Sequence, residues 1–135
     1  MNILFVCKYN RYRSRIAEAY FKKVNKDNKI RVKSAGLTPG RNLTMEVISA
    51  AKQNGLKLRG KPKPASQRLL EWADKIIIVA DNIPPQIFGE ERLEGKEVIQ
   101  LHINDLPKNS LEQRIEHIKV ICSKIDELMK SMKEN

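Results

Sequence analysis

Two short runs constrain this chain more than anything else in it. Asn2-Ile3-Leu4-Phe5-Val6-Cys7 and Lys75-Ile76-Ile77-Ile78-Val79-Ala80 are almost wholly apolar. A strand with one wet face alternates apolar and polar residues. A strand that is apolar throughout is covered on both faces, as in parallel sheets with helices above and below.

The segments between these runs agree. Residues 14–25 have helical spacing, with Ile16, Ala17, Tyr20, Phe21 and Val24 on one face. Ile30-Arg31-Val32-Lys33 alternates as a strand does, and Ser34-Ala35-Gly36 reads as the loop after it. Met45 to Asn54 predicts a helix that stops at Gly55. Gly60, Pro62 and Pro64 make residues 59–66 a loop, and Ser66 caps a short helix reaching Trp72. Asp81 to Phe88 predicts a further short helix, started near Pro84 and Pro85. Glu97 to His102 is a fourth strand. A long helix follows from about residue 110 to 132, with an apolar stripe of Leu111, Ile115, Ile118, Ile121, Ile125, Leu128 and Met132. Asn109 or Ser110 caps it, with Glu112 or Gln113 placed to complete a capping box. The expected fold is α/β: one domain over residues 1–135, a four-stranded parallel sheet flanked by helices in the Rossmann-like manner. Ligands bind such sheets beyond the carboxyl ends of the strands. The loops after residues 7, 34, 80 and 102 are therefore where chemistry is expected.

Charge narrows the partners. Lys and Arg number 26 against 16 acids, a formal +10, which favours anionic ligands such as phosphorylated substrates or nucleic acid. No RNA-reading motif with interleaved aromatics occurs, so nucleic acid is not the expected partner. No apolar run reaches the roughly 18 residues of a membrane span, and the start lacks the basic segment of a signal peptide. Cys7 and Cys122 make no disulfide framework, which fits a cytoplasmic, reduced protein. Cys7, His102, His117 and Cys122 have no metal-ligand spacing. Neither metal nor cofactor is expected. The sequence carries no signal for oligomeric state.

The motif that carries chemistry lies at the end of the first run. Cys7-Lys8-Tyr9-Asn10-Arg11-Tyr12-Arg13-Ser14 places C-x5-R-S between a strand and a helix. A tight loop entering a helix turns its N–H groups inward as an anion nest, to which the helix dipole adds positive potential. A thiolate in such a nest is stabilised and nucleophilic at neutral pH. Arg13 can fork two N–H groups onto phosphoryl oxygens. Ser14 can donate a hydrogen bond to the sulfur. The plainer reading is a small buried cysteine ending a strand, but it leaves Asn10, Arg13 and Ser14 as coincidences.

On these residues the chain resembles the low-molecular-weight protein tyrosine phosphatase superfamily, which includes arsenate reductases and protein-arginine phosphatases. Val6-Cys7, Asn10, Arg13-Ser14 and Ala17-Glu18 match its loop-and-helix signature. Ser34-Ala35-Gly36, Ala73-Asp74 and the placement of Asp105 are similar as well. The resemblance implies that Cys7 attacks phosphorus while Arg13 and the loop Lys8, Tyr9, Asn10, Arg11, Tyr12 and Ser14 bind the phosphate. It implies that Asp105 protonates the leaving oxygen and then activates water. Asn10 would shape the loop, and Ser34 would support it by bonding Asn10. The expected activity is hydrolysis of phosphomonoesters, on protein phosphotyrosine, through a cysteinyl-phosphate and with inorganic phosphate as product. Phosphorylated proteins or small phosphomonoesters would be the partners. A protein-arginine phosphatase and a non-catalytic phosphate- or nucleic-acid-binding module are the alternatives. The reductase branch needs two further cysteines near the third strand, and residues 80–95 hold none.

The chain departs from the family pattern at particular places. Tyr9 stands where glycine is usual, Tyr12 where a second cysteine is usual, and Arg15 where proline is common. The family acid is usually followed by proline, and here the order is Asp105-Leu106-Pro107 with no aromatic after the acid. Read alone, Asp105 is a turn residue. Asp81 is a rival acid that more simply starts a turn. Tyr12 either lines the mouth of the site or packs against the first helix. Arg11 occupies the variable loop position that in members of that family faces the leaving group. With Lys8 it either favours acidic flanks or points to solvent.

Overall fold

The computed structural model describes residues 1–89, 93–106 and 110–133. The Asn109 cap and Pro107 fall outside them. The strands are β1 (Asn2–Cys7), β2 (Arg31–Gly36), β3 (Lys75–Val79) and β4 (Glu97–Leu101). The helices are α1 (Arg13–Val24), α2 (Met45–Gln53), α3 (Gln67–Trp72) and α4 (Leu111–Lys133). All strand pairs are parallel and the order is β2-β1-β3-β4. Among the described residues no helix is long and apolar enough to cross a membrane.

Each strand serves two cores. Ile3 and Phe5 of β1 and Ile77 and Val79 of β3 face a core completed by Ile16, Phe21, Val47, Ile118, Ile121 and Ile125. Leu4, Val6, Ile76 and Ile78 point the other way, onto Leu70, Ala73, Ile83 and Phe88. The period of two along each strand thus sends alternate side chains into different layers, and both layers are dry. Helices α1, α2 and α4 cover one face, and α3 with the turn after β3 covers the other.

Several local expectations hold. Ser66 caps α3 by accepting from Leu69 N; the cap of α2, which the sequence reading did not name, is Thr44, accepting from Val47 N. Ser110 and Gln113 form the reciprocal capping box of α4. Gly55 closes α2 at φ 73°.

Three expectations are corrected. Ser34-Ala35-Gly36 is not a loop: β2 stays paired with β1 until Gly36 lies opposite Cys7. Gly36 is small because the loop after β1 rests on it, Ser34 bonds Asn10 of that loop, and Ala35 packs into the core on the opposite face. The span from Asp81 is not helical until a single 3-10 turn at Pro85–Phe88. On α4, Leu111 is 37% exposed while Arg114 is 6% exposed. The buried stripe is therefore Arg114, Ile118, Ile121, Ile125 and Leu128, at spacings of four and three.

The strand order positions the site. From β1 the chain goes to β2 on one side, then returns past β1 to β3 on the other. The loops leaving β1 and β3 diverge at their carboxyl ends and open a crevice between them.

Candidate active site

The loop from Lys8 to Tyr12 leaves β1 at Cys7 and enters α1 at Arg13. Tyr12, the residue before the helix, gives it no side-chain cap, and the first turn holds no acid. That turn reads Arg13-Ser14-Arg15, the charge that a helix dipole disfavours at this end unless an anion sits there.

One buried hydrogen-bond network holds the loop. Lys63 N–H donates to Asn10 Oδ1 at 2.9 Å, which fixes the amide and turns Nδ2 toward two serines. Nδ2 donates to Ser14 Oγ at 2.9 Å and to Ser34 Oγ at 3.0 Å, so both its hydrogens are spent. Each serine is then left with its own hydrogen to pass on. Ser34 donates to Glu18 Oε1 at 2.5 Å. Ser14 lies 2.9 Å from Cys7 Sγ, and the same counting makes Ser14 the donor to sulfur. Asn10, Ser14 and Ser34 are fully buried, so a break anywhere strands a polar group in a dry interior. Asn10 sits at φ 53°, left-handed backbone that asparagine tolerates. Tyr9 avoids the positive φ, so its side chain does not strain the turn.

The loop rests directly on β2. A Cβ on Gly36 would stand 2.6 Å from Asn10 N and 2.7 Å from Tyr9 C. Both are backbone atoms, which a flexible side chain's retreat cannot relieve. Gly36→Ala is expected to lift the loop, weaken inorganic phosphate binding about tenfold and cost about 1–3 kcal/mol of stability. Isothermal titration and thermal denaturation check it. Wild-type affinity and midpoint in the variant would contradict the close packing.

Cys7 and Arg13 share a cavity of about 420 Å³ with Tyr9, Arg11, Tyr12, Arg41, Asp105, Leu106 and Arg114. Arg13 is 3% exposed; its Nη1 donates to Ile103 O at 2.9 Å and lies 3.7 Å from Asp81 Oδ1. Asp81 is thus a partner of Arg13 as well as a turn residue. Asp105 is exposed on the wall, and its Oδ1 accepts from Leu106 N at 2.9 Å.

The structure brings together Cys7, Arg13 and Asp105, with Tyr9, Arg11 and Tyr12 around the same opening. Asn10, Ser14 and Ser34 lie beneath the loop as its scaffold. Lys8 does not join them: it is exposed, lies 5.1 Å from the Tyr9 ring and lines no cavity wall here. Tyr12 packs not on α1 but on α4. Its hydroxyl meets His117 Nδ1 at 2.6 Å, and Arg114 lies over its ring at 4.5 Å. Burial pushes the Tyr12 phenol up to about 12. Burial, reinforced by Arg114, holds His117 below the usual histidine range, so the ring is neutral near pH 7.

Sequence reasoning missed Arg41, Glu46 and Arg114, and named Gly36 only as part of a matching turn. Arg114 binds Glu46 Oε1 at 3.1 Å and Leu106 O at 2.8 Å, and so ties α2 and the Asp105 loop to α4. Its signal was the four-and-three spacing of α4, which runs through 114 rather than 111. Arg15, where proline is common, is 4% exposed and donates to the carbonyls of Arg59 and Gly60. Burial lowers its pKa from the ordinary arginine value. Among the described residues no three His, Cys, Asp or Glu side chains gather as metal ligands.

Cys122 is half-buried on α4, its pKa pushed up to about 11, first by burial and then by Asp126. α4 runs alongside α1, with His117 meeting Tyr12 beside the loop and Asp126 meeting Tyr20, so Cys122 lies between these contacts, about 7.5 Å along α4 beyond His117. A disulfide requires Cα atoms closer than about 7 Å. With Tyr12 in the loop, no second thiol is at hand. Peroxide is therefore expected to carry Cys7 to sulfinic and sulfonic acid. Mass spectrometry after peroxide and then dithiol reads the outcome; complete return to the free thiol would contradict it.

The comparisons agree with this geometry. A family model described as low molecular weight phosphotyrosine protein phosphatase matches residues 2–135. No curated protein sequence matches. A YwlE mutant from Bacillus subtilis is 25% identical with a TM-score of 0.83, covering 98% of this chain and 99% of that one. A low molecular weight protein tyrosine phosphatase from T. tengcongensis is 23% identical with a TM-score of 0.82, covering 97% and 99%. An arsenate reductase from Archaeoglobus fulgidus is 24% identical with a TM-score of 0.75, covering 93% and 97%. The fold is common to all three. With its sequence matched from the second residue to the last, the chain belongs to the low-molecular-weight phosphotyrosine protein phosphatase family.

Proposed function

We infer that this chain is a cysteine-dependent phosphatase that hydrolyses phosphomonoesters on proteins, with phosphotyrosine as the substrate. The observation that carries this is the sulfur of Cys7 in one cavity with Arg13 and Asp105, holding the hydroxyl of Ser14 at 2.9 Å. Arg13 and the loop N–H groups bind the non-bridging oxygens and stabilise charge as it develops. The thiolate of Cys7 attacks phosphorus, the P–O bond to the leaving group breaks, and Asp105 gives that oxygen its proton. Asp105 Oδ1 is engaged by Leu106 N, so Oδ2 carries the proton. In the second step Asp105 takes a proton from water, which displaces the sulfur and releases inorganic phosphate. Ser14 donates to the departing thiolate.

Charge favours phosphotyrosine over phosphoarginine. YwlE from Geobacillus stearothermophilus is described as an arginine phosphatase, but here Arg11 and Arg41 flank the opening, where a departing guanidinium would be repelled. Tyr9 offers an aromatic ring at the same place. Reductase chemistry is disfavoured because the sequence has only Cys7 and Cys122, and Cys122 is half-buried on α4.

The test is turnover of an aryl phosphate by the wild type, with acid quenching during turnover. A phosphoryl group on the Cys7 peptide supports the covalent route. Absence of turnover on aryl phosphate and phosphoarginine alike would sink the phosphatase reading.

A further inference from the structure

A second cavity of about 360 Å³ opens beside the first. Tyr9, Arg11 and Arg41 line both, so these three residues stand between them. Thr38 and Gly40 complete the second cavity, and no acid lines it. The other arginines of the first cavity have their carboxylates: Asp81 for Arg13 and Glu46 for Arg114. Among the described residues, Arg11 and Arg41 pair with no carboxylate. Arg11 lies 4.8 Å from the Tyr9 ring, a face contact that leaves the donors on its edge for another group.

Two like charges on one wall repel, and an anion between them relieves the repulsion. We propose that Arg11 and Arg41 form a second anion subsite that takes a carboxylate next to the phosphorylated residue of a protein substrate. This rests on the phosphatase reading of the Cys7 cavity and narrows its substrates to phosphopeptides with an acidic neighbour. The scale fits. Consecutive residues of an extended peptide lie about 3.3 Å apart along the strand, so a neighbour one or two positions away reaches the adjoining cavity. Arg41, rather than Lys8, joins Arg11 in this selection.

The test uses two phosphotyrosyl peptides that differ only in glutamate or glutamine beside the phosphotyrosine. They are titrated calorimetrically into Cys7→Ser, which keeps the loop and removes the nucleophile. The acidic peptide binds about fivefold tighter at low salt, and the margin shrinks as salt rises. Adding Arg41→Gln removes most of the margin and Arg41→Glu inverts it. Arg41 is exposed, so neither change touches the core. Equal affinities, no binding of either peptide, or a margin that survives both Arg41 changes overturns the subsite. Wild-type turnover of a simple aryl phosphate, which carries no flanking carboxylate, reports on the catalytic reading separately. Turnover without the margin removes only the subsite, and the margin without turnover removes only the hydrolysis.

Discussion

Serine in place of Cys7 is expected to lower aryl phosphate turnover by at least about 10⁴-fold while leaving the fold intact. Oxygen is smaller than sulfur and still accepts from Ser14, so the network through Asn10, Ser34 and Glu18 keeps every partner. What is lost is the nucleophile: a serine hydroxyl stays protonated in a nest that can stabilise a thiolate, and no histidine stands on the sulfur to act as base. His117 is occupied by Tyr12, and His102 is exposed. The measurement is initial rate with phosphate-binding affinity and thermal midpoint alongside. Rate should collapse with the other two near wild type. Cys122→Ser is the control, and its rate should not change. Equal rates for wild type and Cys7→Ser would reduce Cys7 to a packed strand end.

How far the sequence reached depends on the kind of interaction. The strands β1 and β3 were legible because burial on both faces demands unbroken apolar runs. Cys7, Arg13 and Ser14 were legible because they are adjacent in the chain and one loop sets their geometry. The end of β2 was misread for a physical reason: Ser34 and Gly36 are small where the loop after β1 meets them, Ala35 is small in the opposite core, and small residues in sequence mimic a turn. Arg41 and Glu46 come from separate segments and reach the cavity wall beside Arg114 only after α2 and α4 dock, so no local spacing announces them. Lys8 illustrates the converse. It belongs to the motif by position, yet its exposed side chain lies over the Tyr9 ring and not in the Cys7 cavity. Membership in a loop says where a backbone goes and little about a long, flexible side chain.

Asparagine in place of Asp105 is expected to separate the two chemical steps. The loop that carries Asp105 is held from both sides by arginines: Arg13 Nη1 donates to Ile103 O at 2.9 Å, and Arg114 Nη2 donates to Leu106 O at 2.8 Å. Arg13 and the Tyr12-stacked Arg114 thus place Asp105 over the same cavity. An asparagine oxygen still accepts from Leu106 N, so the local turn survives. The proton does not. With a poor leaving group such as an alkyl-substituted phenol, kcat should fall about 10²- to 10⁴-fold. With p-nitrophenyl phosphate the phenolate departs unprotonated, so the first step stays fast. Water attack on the phosphocysteine still lacks its base, and a burst of p-nitrophenolate should precede slow turnover. Asp81→Asn discriminates between the two acids: it loosens Arg13 and should lower rates alike for all leaving groups, without a burst. A uniform loss in Asp105→Asn, or a leaving-group-dependent loss in Asp81→Asn, would move the acid's role from the fourth strand's loop to the third.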